Sequence, residues 1–162
     1  MRKILFLMLA MSILICVGGC SNKKVESVKA KVTDNKLNVN LDFNRVSSVD
    51  DYVLTVIEED GKLKTTFSNP YDLNVLGMPN LEPPSLENLN EGGTIQLSIS
   101  IKKLKGTVEL SILENDEVIQ NMLVEDEKNI VNDLKVTPGK YTIRLKLNEA
   151  QLQGKFLFVP IK

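Results

Sequence analysis

Apolar and polar side chains alternate with a period of two along most of this chain. The pattern is clearest over four runs, at residues 28–32, 37–43, 95–101 and 141–147. Such a period gives a β-strand one dry face and one wet face. No long segment shows a helical period, although 85–89 and 126–134 could each hold a helical turn. The sequence therefore predicts an all-β protein.

Turn-rich sequences separate the alternating runs. Thr33-Asp34-Asn35 follows the first run, and Glu59-Asp60-Gly61 separates 52–58 from 62–67. Asp-Gly is a strong hairpin signal because both residues tolerate a positive φ. About eight or nine short, half-buried strands must find a second apolar face. We therefore predict an antiparallel β-sandwich of two sheets over residues 25–162, with a short barrel as the alternative.

Residues 134–143, with the sequence LKVTPGKYTI, carry a family resemblance. They resemble the turn into the penultimate strand of immunoglobulin-like and fibronectin-type-III-like bacterial surface domains, and so do 106–110 and Asn115-Asp116. Pro138-Gly139 suits the centre of a type II turn, and the hydroxyl of Tyr141 can bond back to a backbone group at the corner. The resemblance covers roughly residues 92 to 160. It implies an immunoglobulin-like sandwich, and it implies architecture rather than an activity.

The first residues have the three-part layout of a secretory signal peptide. Met1, Arg2 and Lys3 form a short positive segment, and a mostly apolar stretch follows over 4–16. A membrane-spanning helix is the rival interpretation, but residues 4–17 would cover only about 21 Å of a hydrocarbon core about 30 Å thick. We therefore expect the chain to be exported.

The four residues Val17-Gly18-Gly19-Cys20 end this stretch. They resemble the lipobox of bacterial lipoproteins, which has an aliphatic residue, two small residues and a cysteine. The resemblance implies that 1–19 is a lipoprotein signal peptide, that the thiol of Cys20 carries a diacylglyceryl group, and that 20–24 is a lipidated tether. Two or more acyl chains would hold the domain at the extracytoplasmic face of the cell membrane. A secreted protein with an incidental cysteine, or with a disulfide from Cys16 to Cys20, is the alternative.

The tether after Cys20 is short and basic. Lys23 and Lys24 precede the alternation, which begins near Val25. A solvated linker is the simpler interpretation, and contact with anionic lipid headgroups is the alternative. In both cases we expect the folded part to sit close to the membrane.

The composition removes several kinds of chemistry. The chain has no histidine and no tryptophan, and its two cysteines, Cys16 and Cys20, lie near its start. A Ser-His-Asp triad and an imidazole zinc ligand both need histidine, and a thiol-based metal site needs more than one cysteine in the mature part. Without its leader the chain is slightly acidic, which argues against nucleic acid as a partner. We expect no catalysis and no cofactor.

Runs of carboxylates are the remaining chemical candidates. Glycosidases use two carboxylates across a sugar cleft, and calcium binds clustered oxygen ligands. The runs at 58–60, 116–117 and 125–127 are expected to be solvated surface, because they lie at strand ends beside lysines. Asp50-Asp51 and 125–127 could supply oxygens to calcium, but neither has the spacing and the glycine of a calcium loop. We predict neither catalytic nor metal-binding residues.

The least regular segment is 68–93, an irregular connection that holds four of the six prolines. It is long for a connection in a compact domain, yet it is rich in apolar side chains. These side chains either cover an edge strand or an open end of the sandwich, or form a partner-binding loop on a rigid scaffold. A boundary between two subdomains is the third interpretation. The candidate residues for partner binding are Tyr71, Leu76 and Met78.

Together these features predict a lipid-anchored protein that binds or scaffolds in the cell envelope. Its expected partners are the membrane, reached through the lipid on Cys20, and an envelope protein. The alternative is an envelope receptor for a solute or a glycan, although a sugar platform needs exposed aromatic rings and Tyr71 is the best candidate. A receptor should have a concave pocket with convergent polar groups, whereas a scaffold should have a flat apolar patch or an open edge strand.

Overall fold

The computed structural model describes residues 27–70, 83–87 and 89–161 of the chain. All the regular secondary structure in these residues is β-strand. None of these residues belongs to a helix that could cross a membrane. Residues 1–26, which include the predicted signal peptide and Cys20, lie outside the described residues, so the predictions made for them stay predictions. The strands are β1 (Ser27–Thr33), β2 (Lys36–Glu59), β3 (Lys62–Ser68), β4 (Thr94–Glu114), β5 (Glu117–Val124), β6 (Glu127–Lys135) and β7 (Gly139–Ile161).

All seven strands belong to one antiparallel sheet. Its centre consists of three long strands in the order β2, β7, β4, which are 24, 23 and 21 residues long. β1 and β3 pair with the first and second halves of β2, and β6 and β5 pair with the first and second halves of β4. The sheet thus has three long strands in the middle and four short strands at its edges.

The central strands are irregular near their middles, at one level of the sheet. The pairing of β4 with β7 shifts register between Lys103 and Lys105 and again between Lys105 and Thr107. Gly106 has a φ of 74°, and Glu149 on β7 has a φ of 46°. A β-carbon on Gly106 would lie 2.2 Å from the carbonyl oxygen of Glu149. The close approach of the two backbones and the positive φ therefore both require glycine at this position.

Contacts between aromatic rings require the sheet to fold back on itself at this level. Tyr52 pairs with Ile143 in the β2–β7 ladder, thirteen residues along β7 from Phe156. A straight strand of that length spans roughly 43 Å. The ring centroids of Tyr52 and Phe156 are nevertheless 5.2 Å apart, in an edge-on arrangement. The rings of Phe67 and Phe158 form a second pair, with centroids 6.1 Å apart in a tilted arrangement.

The predicted alternation decides which side chains enter the core. The buried positions follow a period of two along β2 and along most of β4 and β7, and the exceptions are the continuously buried stretches 110–113 and 141–143. The buried side chains of the two halves belong to one hydrophobic cluster. Each large apolar side chain buried there contributes about 1.5–3 kcal/mol to stability. The all-β class and the antiparallel pairing predicted from the sequence are confirmed.

The structure has one continuous sheet of seven strands, whereas the sequence predicts two sheets with about eight or nine strands in all. The runs at 37–43 and 52–58 are the two halves of β2, and β4 and β7 each join two runs in the same way. Polar residues at the bends interrupt the alternation without ending the hydrogen-bonded ladder, so each bend reads as a loop in the sequence. The immunoglobulin-like sandwich stays a prediction.

The helical turn considered for 126–134 does not form, because Glu127–Lys135 is strand β6. Ile130 and Leu134 are four residues apart, and this spacing places two side chains on one face of a helix or of a strand. Both belong to or pack against the core cluster. Nine consecutive pairs with β4 decide in favour of the strand. Residues 85–87 form no helical turn either.

The turn before β7 confirms one prediction and corrects another. The hydroxyl of Tyr141 donates a hydrogen bond of 2.6 Å to the carbonyl oxygen of Lys135, as the family resemblance implies. Gly139 does not have a positive φ, so the prediction of a type II turn at Pro138-Gly139 is wrong. Gly139 is instead the first residue of β7, where a β-carbon would lie 2.9 Å from the side chain of Asn115. The glycine therefore allows close packing against the β4–β5 turn.

Replacing Gly106 with alanine should destabilise the protein by about 2–4 kcal/mol, because the change combines a positive φ with a backbone clash. Gly61→Ala is the matched control. Gly61 has a φ of 70° but has nothing within 4 Å of its β-carbon position, so it should lose only about 1–2 kcal/mol. Chemical denaturation measures both free energies of unfolding. Equal losses would contradict the importance of the close contact at the bend.

Candidate binding surfaces

Four short strands form the edges of the sheet. Three of them are guarded, which means that charged side chains block the edge or another segment of the chain covers it. An edge strand presents unpaired backbone groups that can attract another strand, and proteins block such edges with charges or by covering them. β1 carries Lys29 and Lys31 within its seven residues. β6 carries four charged residues, namely Glu127, Lys128, Asp133 and Lys135. β3 is covered by a neighbouring segment of the chain.

That segment consists of residues 83–87 and 89–90, which run along the outer edge of β3. Leu86 and Leu89 are buried in the core cluster. Three contacts hold the segment in place: the N–H of Phe67 donates to the carbonyl of Pro84 at 3.1 Å, the N–H of Leu86 donates to Oγ1 of Thr65 at 2.6 Å, and Leu63 forms a β-bridge with Leu89.

The interpretation of 68–93 is thereby confirmed in part. Residues 83–87 and 89–90 cover an edge strand, as one of the alternatives predicted. The candidate partner-binding residues Tyr71, Leu76 and Met78 lie outside the described residues. Their proposed role stays a prediction.

β5 is an edge strand without this protection. It pairs with β4 on one side, and no second strand of the described residues pairs with it. Residues 118–124 contain no charged side chain. Three of their apolar side chains are more than half exposed: Val118 at 59%, Ile119 at 51% and Leu123 at 57%. β5 therefore presents an apolar, uncharged edge to solvent.

Side-chain hydrogen bonds hold β5 on both of its faces. On the wet face, Asn121 donates from Nδ2 to Oε1 of Glu109 at 3.1 Å and accepts at Oδ1 from Oγ of Ser111 at 3.1 Å. On the opposite face, Nδ2 of Asn132 on β6 donates to Oε1 of Gln120 at 2.9 Å. The edge is therefore held in its strand conformation before any partner arrives, which lowers the entropic cost of binding.

A concave cavity of about 760 Å³ lies beside β3. Leu63, Leu86 and Leu89 line it together with the polar side chains of Glu59 and Lys64. Lys64 forms a salt bridge with Glu59. The hydrogen bond from Lys64 holds the pKa of the Glu59 carboxyl below its ordinary value of 4.5. The volume of this cavity lies in the range of small-molecule sites, about 300–1,000 Å³.

Three basic residues on the wet face of β7 before its bend are each paired with a carboxylate. Arg144 holds Asp51 through two hydrogen bonds, from Nε to Oδ1 at 2.7 Å and from Nη2 to Oδ2 at 2.8 Å. The hydrogen bond from Arg144 lowers the pKa of Asp51 below its ordinary value of 3.8. Two further pairs lie on this face: Lys140 with Asp116, and Lys146 with Glu109. These carboxylates face cations, whereas the paired acids of a glycosidase face one another.

The side chains of Asp50 and Asp51 do not converge on one point. Successive residues of a strand point to opposite faces, and here Asp50 is buried while Asp51 binds Arg144 on the wet face. The other candidate, 125–127, is exposed at the β5–β6 turn. In the part of the chain that the structure describes, no three His, Cys, Asp or Glu side chains form a group that could hold a metal ion.

Asp51→Asn should lower the free energy of unfolding at neutral pH by about 0.5–1 kcal/mol, the value of a partly exposed ion pair. The folded-state pKa of Asp51 is depressed, so its contribution is present above the unfolded-state pKa of about 3.9 and is lost as the pH falls below it. The difference between wild type and variant should therefore vanish in acid. Denaturation at a series of pH values measures it, with Asp126→Asn in the exposed turn as the control. A difference that persists in acid would contradict the ion pair.

The β5 edge and the β3 cavity belong to opposite edges of the sheet. The sequence contains a signal for the first, namely the uncharged run at 118–124, but such a run is typical of any buried strand until the pairing is known. The cavity has no sequence signal, because Leu86 and Leu89 reach it from an irregular segment. Comparison of the sequence with protein-family models and with curated proteins finds no match.

Proposed function

We propose that this chain is a lipid-anchored, non-catalytic protein of the cell envelope that binds a partner along the edge of β5. The observation that carries the binding role is the apolar, uncharged edge of β5 beside three guarded edges. The lipobox resemblance of Val17-Gly18-Gly19-Cys20 supports the anchor and the extracytoplasmic location.

An unguarded edge supports a binding role because leaving it open has a cost. Exposed, uncharged edge strands promote aggregation, and one lysine within the strand is enough to discourage pairing. The chain carries such lysines on β1 and β6. β5 instead carries valine, isoleucine and leucine at exposed positions, which is the arrangement that strand addition uses.

The partner that fits this edge is an extended segment of another envelope protein. Main-chain hydrogen bonds to β5 would supply affinity without regard to sequence. Side chains of the partner on the wet face would pack beside Leu123, which is more than half exposed. An apolar residue at that position of the partner would therefore be favoured over a charged one.

The second candidate function is a receptor for a solute, and the cavity beside β3 favours it. A glycan is less well supported than another solute. All aromatic rings among the described residues are buried, so none of them offers a stacking platform. A solute that fills the cavity would contact Leu63 and Lys64 rather than β5.

A photo-crosslinking residue at Ile119 should trap a partner in intact cells, whereas the same residue at Val131 on β6 should not. Adding Leu123→Lys should reduce the crosslinked yield about fivefold, which corresponds to roughly 1 kcal/mol, the upper end of a cross-strand pair. Val131→Lys is the matched control, since Val131 is also an exposed apolar residue on an edge strand. Equal yields from the two positions, or equal effects of the two lysines, would contradict binding along β5.

Cys20→Ser should move the protein from the detergent phase to the aqueous phase in phase partitioning, because the acylated thiol is lost. Cys16→Ser is the control, and this variant should stay in the detergent phase. Mass spectrometry of the amino terminus should find an acylated Cys20 as the first residue. An unmodified peptide that spans Val17 to Ser21 would exclude the lipid anchor.

A further inference from the structure

The bends of the long strands gather exposed apolar and basic side chains at one end of the protein. We call it the bend end, and it consists of residues 44–47 of β2, 102–106 of β4 and 148–151 of β7. Val46 is 80% exposed there, and Leu104 is 45% exposed. The lysines beside Leu104 in the sequence are Lys102, Lys103 and Lys105.

The amino-terminal strand begins at this end. Ser27 pairs with Asp42, Asp42 pairs with Gln153, and Gln153 pairs with Lys102, so the four residues lie at one level of the sheet. β1 runs from Ser27 away from the bend end. Cys20 precedes Ser27 by seven residues, which can span at most about 25 Å. A lipid on Cys20 would therefore keep Ser27 within that distance of the membrane.

We propose that the bend end lies against the membrane, with Val46 and Leu104 in the headgroup region and the neighbouring lysines on the phosphates of anionic lipids. This inference rests on the proposed lipid anchor. Exposed apolar side chains with basic neighbours are typical of interfacial membrane contacts. Lysine suits such a position because its stem packs on apolar surface while its amine reaches the phosphate.

The distribution of charge favours the same orientation. At the bend end, the positive charges of the three lysines and Arg45 balance the negative charges of Glu149 and of the acidic turn at 125–127. The opposite end is acidic on balance, because five lysines there are outnumbered by seven carboxylates: Lys36, Lys62, Lys64, Lys135 and Lys140 against Asp34, Asp60, Asp116, Glu58, Glu59, Glu114 and Glu117. An anionic membrane would repel that end more strongly. In this orientation β5 stands upright on the membrane, with Val124 near it and Glu117 far from it, so its edge faces sideways.

The experiment uses the mature lipidated protein in vesicles of phosphatidylcholine with phosphatidylglycerol. If Cys20 is acylated, an introduced cysteine is the one reactive thiol of the mature chain. A fluorophore is attached at Ser47→Cys on the bend end or at Lys36→Cys at the other end of the same half of β2, at most about 36 Å away along the strand. Lipids that carry a quencher in the headgroup region should quench the first label strongly and the second hardly at all.

A charge variant tests the role of the lysines. Lys103→Gln with Lys105→Gln should lower the ratio of protein whose bend end contacts the membrane to protein whose bend end does not by about 25-fold. Each basic residue contributes about 1 kcal/mol at an anionic surface. Lys62→Gln with Lys135→Gln, two exposed lysines at the opposite end, should leave the quenching at Ser47→Cys unchanged. Equal quenching at the two labels would overturn the orientation alone. Protein that fails to enter the vesicles would overturn the lipid anchor and this inference with it.

Discussion

The structure depends on the contact between the backbone of Gly106 and the carbonyl groups of Asn148 and Glu149. At this point two neighbouring strands turn together without breaking their ladder. The dry faces of the two halves can then meet, and rings such as those of Tyr52 and Phe156 come into contact. A straight sheet of these long strands would leave one apolar face in water. The bend therefore lets one sheet form a core by itself.

The bend also decides where the surfaces of the protein lie. Because every long strand turns at one level, the residues at the turning points form one end of the molecule, and the amino-terminal strand starts there. The short strands fall at the edges, where β3 is covered by Leu86 and its neighbours and β5 is left open. The proposed anchor, the proposed membrane contact and the proposed partner-binding edge thus occupy separate parts of one fold. A partner on the β5 edge would not compete with the membrane.

Much of the fold could be predicted from the sequence, and there are physical reasons why the rest could not. The period of two identified nearly every strand and its buried face, because burial acts on each residue separately. The bends were not predicted because mostly polar stretches such as 44–51 and 102–107 have the same composition in a loop and in a ladder with a bulge. Strand β6 was not predicted because the spacing of Ile130 and Leu134 fits both a helix and a strand. The open edge of β5 could not be predicted, since an edge is defined by a strand that is missing from the pairing rather than by the residues of β5.

The most direct test of this account is the distance between the rings of Tyr52 and Phe156 in solution. Isotope-edited nuclear Overhauser spectra measure it without altering either residue. Cross-peaks between the two rings are expected, because their centroids lie 5.2 Å apart. An extended sheet would separate them by roughly 43 Å. A complete assignment of both rings with no cross-peak between them would contradict the fold-back at Gly106.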